Sequence, residues 1–182
     1  MNSSYNNNDL NYGDLLSSII YSLNPKIIIE FGILDGFSLK CFNQYSNDSC
    51  NIYAYDIFDS FNGNHANKEL LLEKFKKDKK INIDFGDFYK KFNDIKDNSI
   101  DILHIDIANN GDVYEFVINN YINKLSENGI IILEGGSYER DNIEWMNKYN
   151  KKKIQPILEK FTNKFNILTI GKIPSITLVK KF

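Results

Sequence analysis

Two patterns of apolar residues alternate along the chain. Short apolar runs bounded by polar residues or glycine are typical of buried strands, and apolar residues at helical spacing separate them. The predicted strands cover residues 27–29, 51–56, 81–85, 100–106 and 130–134, and alternating residues at 165–170 and 175–180 predict two more. The predicted helices cover residues 9–23, 38–45, 68–77, 88–93 and 112–125, and a broken helix, interrupted near Pro156, continues to about residue 164.

Strands that alternate with helices predict parallel pairing with right-handed crossovers. The last two strands are joined by a short turn around Gly171 and Pro174, so they must be antiparallel. The pattern therefore predicts an α/β fold with a doubly wound, seven-stranded, mostly parallel sheet and an antiparallel terminal strand. No linker interrupts it, so we expect residues 1–24 to form an N-terminal tail with a covering helix and residues 25–182 to form one domain.

Two helix starts carry a capping signature. Asp112 with Glu115 three residues later, and Asp141 with Glu144, both match an N-cap residue with its reciprocal partner. We therefore expect Asp112 and Asp141 to cap the helices that follow them directly in sequence.

Composition limits the class of function. The 182 residues carry a net charge of −2, and the lysine runs at 76–80 and 151–153 are typical of solvated helix ends, so nucleic-acid binding is not expected. No apolar run approaches the ~20 residues that a membrane-spanning helix needs, and no signal peptide is recognisable. Cys41 and Cys50 have no partners at metal-binding spacing. These features predict a cytoplasmic protein with free thiols.

The stretch KIIIEFGILDGFS, residues 26–38, contains a strand, a turn with two glycines and a helix start. Glycine lets the backbone approach a ligand closely, and a helix N-terminus has N–H groups that no helical carbonyl accepts. Such a joint suits a nucleotide-like ligand. The spacing of Gly32 and Gly36 excludes both the phosphate-binding P-loop and the G-x-G-x-x-G fingerprint.

The E-x-G-x-x-x-G-x-S pattern of Glu30, Gly32, Gly36 and Ser38 resembles motif I of class I S-adenosylmethionine-dependent methyltransferases. It is most similar to the branch that includes small-molecule and sugar O-methyltransferases, and LHID at 103–106 resembles that family's fourth motif. The resemblance covers nearly the whole chain after residue 25 and implies a Rossmann-like fold. The family often has a third glycine where Leu34 stands.

A carboxylate stands at or just after the end of each of the first five predicted strands, where ligands of open α/β sheets bind. These carboxylates are Glu30, Asp56, Asp87, Asp106 and Glu134. Asp56 can accept hydrogen bonds from both ribose hydroxyls of an adenosine, and Ile57 can pack against the adenine. The resemblance implies the same role for Asp56, an adenine contact for Asp87, and contacts of Glu30 and Gly32 with the amino acid end of S-adenosylmethionine.

Asp106 and Glu134 are the predicted catalytic residues. Asp106 can act as a general base for an acceptor hydroxyl or as a ligand of a divalent cation. Related metal-dependent enzymes have a second acidic pair after the fifth strand, where this sequence has Glu134-Gly135-Gly136, so the use of a metal stays open. His104, two residues before Asp106, is expected to be a core residue.

The segment from Glu134 to Trp145 lies where acceptor-recognition loops occur in this fold. Arg140 can bind an acidic acceptor, and Tyr138 or Trp145 can stack on a sugar or another ring. The structural alternative is an ion pair between Arg140 and Glu144, four residues apart on a helix.

The sequence thus predicts transfer of a methyl group from S-adenosylmethionine to a small-molecule acceptor or glycan precursor, with O-methylation implied by the resemblance. The alternatives are a non-catalytic module that binds S-adenosylmethionine and an NAD-dependent oxidoreductase. The acceptor, the choice between O- and N-methylation, catalytic competence and the oligomeric state stay open.

Overall fold

The computed structural model describes residues 6–7, 10–60, 64–78 and 80–182, with only the backbone described up to Asn11. The chain forms two compact units, the first ending at Asp94 and the second covering Ile95–Phe182. The boundary predicted between residues 24 and 25 stays a prediction.

Seven strands form one mixed sheet. In chain order they are β1 (Ile27–Phe31), β2 (Asn51–Asp56), β3 (Ile81–Phe85), β4 (Ile100–Ile105), β5 (Leu125–Glu134), β6 (Phe165–Gly171) and β7 (Ser175–Lys181). The order across the sheet is β3-β2-β1-β4-β5-β7-β6. The pairs β1–β2, β2–β3 and β4–β5 are parallel, whereas β7 is antiparallel to both of its neighbours. The predicted sheet with one reversed strand is therefore confirmed.

The first unit contains α1 (Tyr12–Leu23), α2 (Phe37–Tyr45), α3 (Lys68–Lys74) and α4 (Phe88–Lys91), with 3-10 turns at Phe58–Ser60 and Phe92–Asp94. Helix α1 packs against α2, and the fully buried side chains of Leu16, Ile20, Leu39 and Phe42 belong to these two helices. The predicted first helix began at residue 9, which lies outside the described residues. The backbone of Leu10–Asn11 forms a two-residue antiparallel ladder with Asn6–Asn7 before α1 begins.

The second unit contains α5 (Gly111–Asn120), α6 (Glu144–Lys148) and α7 (Gln155–Phe161), with 3-10 turns at Ile122–Lys124 and Arg140–Asn142. Helices α5 and α7 pack against each other. The predicted helix over 112–125 is too long, because β5 already begins at Leu125. No helix of the described ranges is long and apolar enough to cross a bilayer.

Both capping predictions are wrong in their details. Asn110, not Asp112, caps α5, because its side-chain oxygen accepts a hydrogen bond from the Asp112 N–H at 2.8 Å. Asp141 accepts hydrogen bonds from the backbone N–H groups of Ile154 at 2.7 Å and Gln155 at 2.8 Å. It therefore accepts hydrogen bonds from the free N–H groups at the start of α7, thirteen residues further along the chain, and does not cap the next helix.

The sequence predicted that Pro156 interrupts the last helical region, but it does not. It stands in the first turn of α7, where the missing proline N–H leaves no hydrogen bond unmade. The interruption lies earlier, between the end of α6 at Lys148 and the start of α7 at Gln155.

Two consecutive glycines turn the chain after β5. Gly135 and Gly136 have φ angles of 95° and 103°, which residues other than glycine rarely adopt. A Cβ on Gly136 would lie 1.9 Å from Oγ1 of Thr177 on β7, whereas a Cβ on Gly135 would meet its nearest atom, Cγ of Arg140, at 3.3 Å. The turn therefore lies directly against β7, and position 136 has no room for any side chain larger than that of glycine.

We expect Gly136→Ala to destabilise the protein more than Gly135→Ala does. Both substitutions carry the cost of a positive φ, about 1–2 kcal/mol, but only Gly136→Ala adds a steric clash, worth about 1–3 kcal/mol more. Urea unfolding of the two variants measures the difference. Equal losses of unfolding free energy would contradict the close approach to Thr177.

Candidate functional site

The carboxylate of Asp56 is the centre of the first unit's candidate site. Asp56 ends β2 and is 7% exposed. Its Oδ2 accepts a hydrogen bond from the Ile33 N–H at 2.8 Å, and its Oδ1 accepts from the Phe58 N–H at 2.9 Å and from Nδ2 of Asn64 at 2.5 Å. The carboxylate therefore joins the glycine turn after β1 to the segment that follows β2.

The glycine turn takes a left-handed backbone at three positions. Gly32, Leu34 and Gly36 have φ angles of 89°, 50° and 76°. A leucine in this region costs about 1–2 kcal/mol relative to glycine. Position 34, where the family often has glycine, thus keeps a glycine-like conformation although the side chain differs. The Gly32 N–H donates to the Tyr55 carbonyl at 2.9 Å, which holds the turn beside β2.

Glu30 and Ser38 meet inside the first unit. The Ser38 hydroxyl donates a hydrogen bond to Oε1 of Glu30, and both side chains are buried. Ser38 belongs to the first turn of α2, where the helix dipole favours a negative charge. The structure therefore brings the first and last residues of the predicted motif into direct contact.

The remaining predicted cofactor residues lie next to Asp56 or follow β3. Ile57 is half-buried and directly follows Asp56 in the chain. Asp87 is the N-cap of α4: its Oδ1 accepts from the Tyr89 N–H at 2.9 Å, and its Oδ2 lies 3.3 Å from Nζ of Lys90. Asp87 thus has the helix-capping role that carboxylates after strands often have, and its contact with adenine stays a prediction.

In the second unit, the ends of β4 and β5 are joined by an asparagine. Nδ2 of Asn109, which is fully buried, donates to the carbonyls of Ile105 and Glu134, both at 2.9 Å. Asp106 directly follows β4 and is half-buried, while His104 is fully buried within the strand, in agreement with its predicted core position. Asn109 therefore fixes the strand ends that carry the two predicted catalytic carboxylates.

Glu134 forms a buried ion pair with Arg140. Nε of Arg140 donates to Oε1 at 3.0 Å and Nη2 donates to Oε2 at 3.2 Å, with Glu134 6% and Arg140 8% exposed. The structural alternative considered for Arg140, an ion pair with Glu144 on one helix, is therefore wrong. Ile143 has an extended backbone, with ψ of 157°, so residues 140 and 144 do not share a continuous helix and the four-residue spacing does not bring them together.

The Arg140 guanidinium has further contacts. Nη2 lies 3.4 Å from the Asn109 carbonyl, and Cζ lies 5.6 Å from the ring centre of Trp145, within the range of a cation–π interaction. Among the described residues, Nη1 of Arg140 and Oδ1 of Asn109 are buried without a hydrogen-bond partner. The segment after β5 is thus built around Arg140, which leaves Tyr138 exposed and Trp145 half-buried.

Tyr114 on α5 supports the same strand end. Its hydroxyl donates to the Glu134 carbonyl at 3.0 Å, and the side chain is fully buried. Burial raises the pKa of the Tyr114 hydroxyl well above its ordinary value, although a hydrogen bond with Thr177 acts in the opposite direction. Tyr114 therefore stays a neutral donor at physiological pH.

Sequence reasoning assigned no role to Asn64, Asn109 or Tyr114. Asparagine is abundant in this chain, and nothing in the local sequence separates these asparagines from those in turns. A tyrosine at helical spacing is typical of an ordinary core residue. Asp56 and Glu134, to which these three side chains donate, lie 8 to 25 residues away along the chain, so only the folded structure reveals these contacts.

Metal ligation receives no support from a preformed cluster. In the parts of the chain that the structure describes, no three His, Cys, Asp or Glu side chains form a group that could hold a metal ion. Cys41 and Cys50 are free thiols, as predicted, and burial raises the pKa of Cys41 while a hydrogen bond with Ser17 lowers it to a smaller extent.

A sequence model of the methyltransferase-domain family matches residues 29–134, which is more than half of the chain. The chain belongs to this methyltransferase family. The matched range begins in β1 and ends at Glu134, so it includes Asp56, Asn109 and both predicted catalytic residues. No curated protein sequence matches the chain.

Solved structures share the fold of this methyltransferase at low sequence identity. The methyltransferase PaMTH1 of Podospora anserina, bound to S-adenosylhomocysteine, is 17% identical with a TM-score of 0.68, and the match covers 93% of this chain and 77% of that one. An O-methyltransferase of Bacillus cereus in complex with S-adenosylhomocysteine is 15% identical with a TM-score of 0.69, covering 93% and 80%. The O-methyltransferase TomG of Streptomyces achromogenes, in complex with S-adenosylmethionine, is 13% identical with a TM-score of 0.69, covering 93% and 78%.

Replacing Asp56 by alanine should destabilise the methyltransferase as well as alter its site. The N–H groups of Ile33 and Phe58 would stay buried without their acceptor, at about 1–3 kcal/mol each. We expect Asp56→Ala to lower the free energy of unfolding in urea by about 2–5 kcal/mol. Asp48→Ala, which removes an exposed carboxylate, is the control and should change it by less than about 0.5 kcal/mol. A loss from Asp56→Ala as small as that of the control would show that the carboxylate does not hold the turn.

The Glu134–Arg140 pair should behave as one unit in a double-mutant cycle. Glu134→Gln and Arg140→Met each leave a buried charge uncompensated and should cost about 3–5 kcal/mol of unfolding free energy. The double variant should lose at least about 1 kcal/mol less than the sum of the two single losses. Glu139→Gln, from an exposed pair with Lys172, is the control and should cost less than about 1 kcal/mol. Strict additivity would contradict a direct interaction.

Proposed function

We propose that this methyltransferase transfers a methyl group from S-adenosylmethionine to an oxygen of a small-molecule acceptor or glycan precursor. The observation that carries the proposal is the hydrogen bond from the Ile33 N–H to Oδ2 of Asp56. It joins the glycine turn, suited to the amino acid end of the ligand, to the carboxylate suited to the ribose. The three solved structures of similar fold, each a methyltransferase with S-adenosylmethionine or S-adenosylhomocysteine bound, support the same ligand.

The residues of the first unit fit this ligand. Among the described residues, Oδ2 of Asp56 accepts only the Ile33 hydrogen bond, and a carboxylate oxygen has about two lone pairs, so it can also accept one from a ribose hydroxyl. Gly32 and Gly36 supply a turn without side chains, and the Glu30–Ser38 pair lies at its two ends. We assign these four residues to the amino acid end, Asp56 to the ribose, and Ile57 and Asp87 to the adenine.

In the second unit, we assign the acceptor to the ends of β4 and β5. S-adenosylmethionine supplies an electrophilic methyl group, and an acceptor hydroxyl that attacks it must lose its proton. Asp106, half-buried at the end of β4, is the proposed base for that proton. Both carboxylate oxygens of Glu134 already accept hydrogen bonds from Arg140. The proposed contribution of Glu134 is therefore to position the Arg140 guanidinium so that it can bind a negatively charged methyl-accepting substrate.

Binding of S-adenosylmethionine tests the proposal directly. Calorimetric titration with S-adenosylmethionine, S-adenosylhomocysteine and NAD, each with and without Mg²⁺, should show micromolar binding of the two sulfur nucleotides and none of NAD. Asp56→Asn keeps one acceptor oxygen and should weaken their binding by about tenfold or more, since a hydrogen bond to a charged group contributes about 1.5–3 kcal/mol.

Methylation across a panel of acceptors can be followed as release of S-adenosylhomocysteine, with and without Mg²⁺. A rate that does not depend on Mg²⁺ is expected if Asp106 is the general base, and a rate that requires Mg²⁺ would indicate a cation ligand. NAD binding without binding of either sulfur nucleotide would contradict the proposed function and leave only the fold.

A further inference from the structure

The carboxylate of Asp56 has more prospective donors than acceptor positions. Three described groups already donate to it: the N–H groups of Ile33 and Phe58 and the side-chain amide of Asn64. The two ribose hydroxyls of an adenosine would raise the number to five. A carboxylate offers about four lone pairs, so one protein donor must leave when both hydroxyls bind.

The three protein donors differ in their freedom to leave. The Ile33 N–H belongs to the glycine turn, and the Phe58 N–H belongs to the first residue of a 3-10 turn whose backbone is closed by a bond from Ser60 N–H to the Ile57 carbonyl at 3.0 Å. Neither can move without rebuilding the chain around it. The Asn64 amide is at the end of a rotatable side chain that is only half-buried. It is therefore the donor that a ligand can displace at the lowest cost.

The other end of the same amide is also held. Oδ1 of Asn64 accepts a hydrogen bond from the N–H of Ala66, a buried residue, at 3.1 Å. With Nδ2 on Asp56 and Oδ1 on Ala66, the amide has one fixed orientation. Its NH₂ group thus occupies Oδ1 of Asp56, the oxygen that already accepts from Phe58.

We propose that Asn64 competes with the ligand's ribose for Asp56: its amide takes the position of one ribose hydroxyl in the free protein and leaves when an adenosine-containing ligand binds. This inference rests on the proposed function. One hydroxyl binds Oδ2 without displacing any protein group, and the second binds Oδ1 only at the expense of Asn64. Asn64 therefore sets the affinity below the value that Asp56 alone would give, which makes exchange of product for fresh methyl donor easier.

Removal of the Asn64 amide should tighten binding. In Asn64→Ala, water takes the vacated position on Oδ1, and a ligand displaces water more easily than a hydrogen bond held at both ends of an amide. We expect S-adenosylhomocysteine to bind Asn64→Ala about three- to tenfold more tightly than the wild type, since the net difference between such hydrogen bonds is a fraction of their gross strength.

The experiment combines this variant with ligands that lack one hydroxyl. Calorimetric dissociation constants are measured for S-adenosylhomocysteine and its 2′-deoxy and 3′-deoxy analogues, with the wild type, Asn64→Ala and the control Asn93→Ala. Asn93 is an exposed asparagine of the same unit whose amide donates to the Lys90 carbonyl. The gain in affinity should appear with S-adenosylhomocysteine, fall to less than about twofold with at least one deoxy analogue, and be missing in Asn93→Ala.

Each outcome decides the inference. Unchanged or weaker binding to Asn64→Ala, or an equal gain with all three ligands, would overturn it, because Asn64 would then support the site or act without regard to the hydroxyls. If Asn64→Ala does not fold, the wild type alone decides: the less affected deoxy analogue should bind within about threefold of the parent, and a loss beyond about tenfold for both analogues would overturn the competition. No binding of S-adenosylhomocysteine to the wild type would instead defeat the proposed function, and the inference with it.

Discussion

The buried carboxylate of Asp56 is the interaction on which the first unit's site depends. It accepts hydrogen bonds from two backbone N–H groups that belong to different segments, the turn after β1 and the turn after β2. Buried backbone donors need an acceptor, and a charged acceptor stabilises them more than a neutral one. Asp56 therefore gives the glycine turn its position and at the same time presents a negative charge to a ligand's hydroxyls. The requirements of folding and of binding fall on the same two oxygen atoms.

In the second unit, buried hydrogen bonds to one acidic residue, Glu134, likewise fix the ends of two strands. The ends of β4 and β5 are fixed by Asn109 and Tyr114, which both donate to the Glu134 carbonyl, while the Glu134 side chain holds Arg140. A buried ion pair of this kind adds little net stability but strongly penalises any other arrangement of its partners. The segment after β5, which the sequence suggested as a recognition loop, thus has a buried, hydrogen-bonded interior and an exposed rim that carries Tyr138.

The sequence was most informative where one local rule decides the structure. The strands at Asn51–Asp56 and Ile81–Phe85 match their predicted bounds, because their apolar residues end at polar or glycine neighbours. It was least informative where partners are distant. Asp141 carries a genuine capping signature, yet it caps a helix thirteen residues away, and Arg140 pairs backwards with Glu134 because the chain turns before residue 144. Spacing rules describe contacts within one helix, and neither of these contacts is of that kind.

We expect Asp56 to bind the ligand's ribose while it continues to hold the glycine turn. A crystal structure of the protein with S-adenosylhomocysteine tests this most directly. We expect a ribose hydroxyl within hydrogen-bond distance of Oδ2 of Asp56, with the Ile33 N–H still donating to the same oxygen. Ribose hydroxyls bound away from Asp56, or a glycine turn that has left the carboxylate, would contradict it.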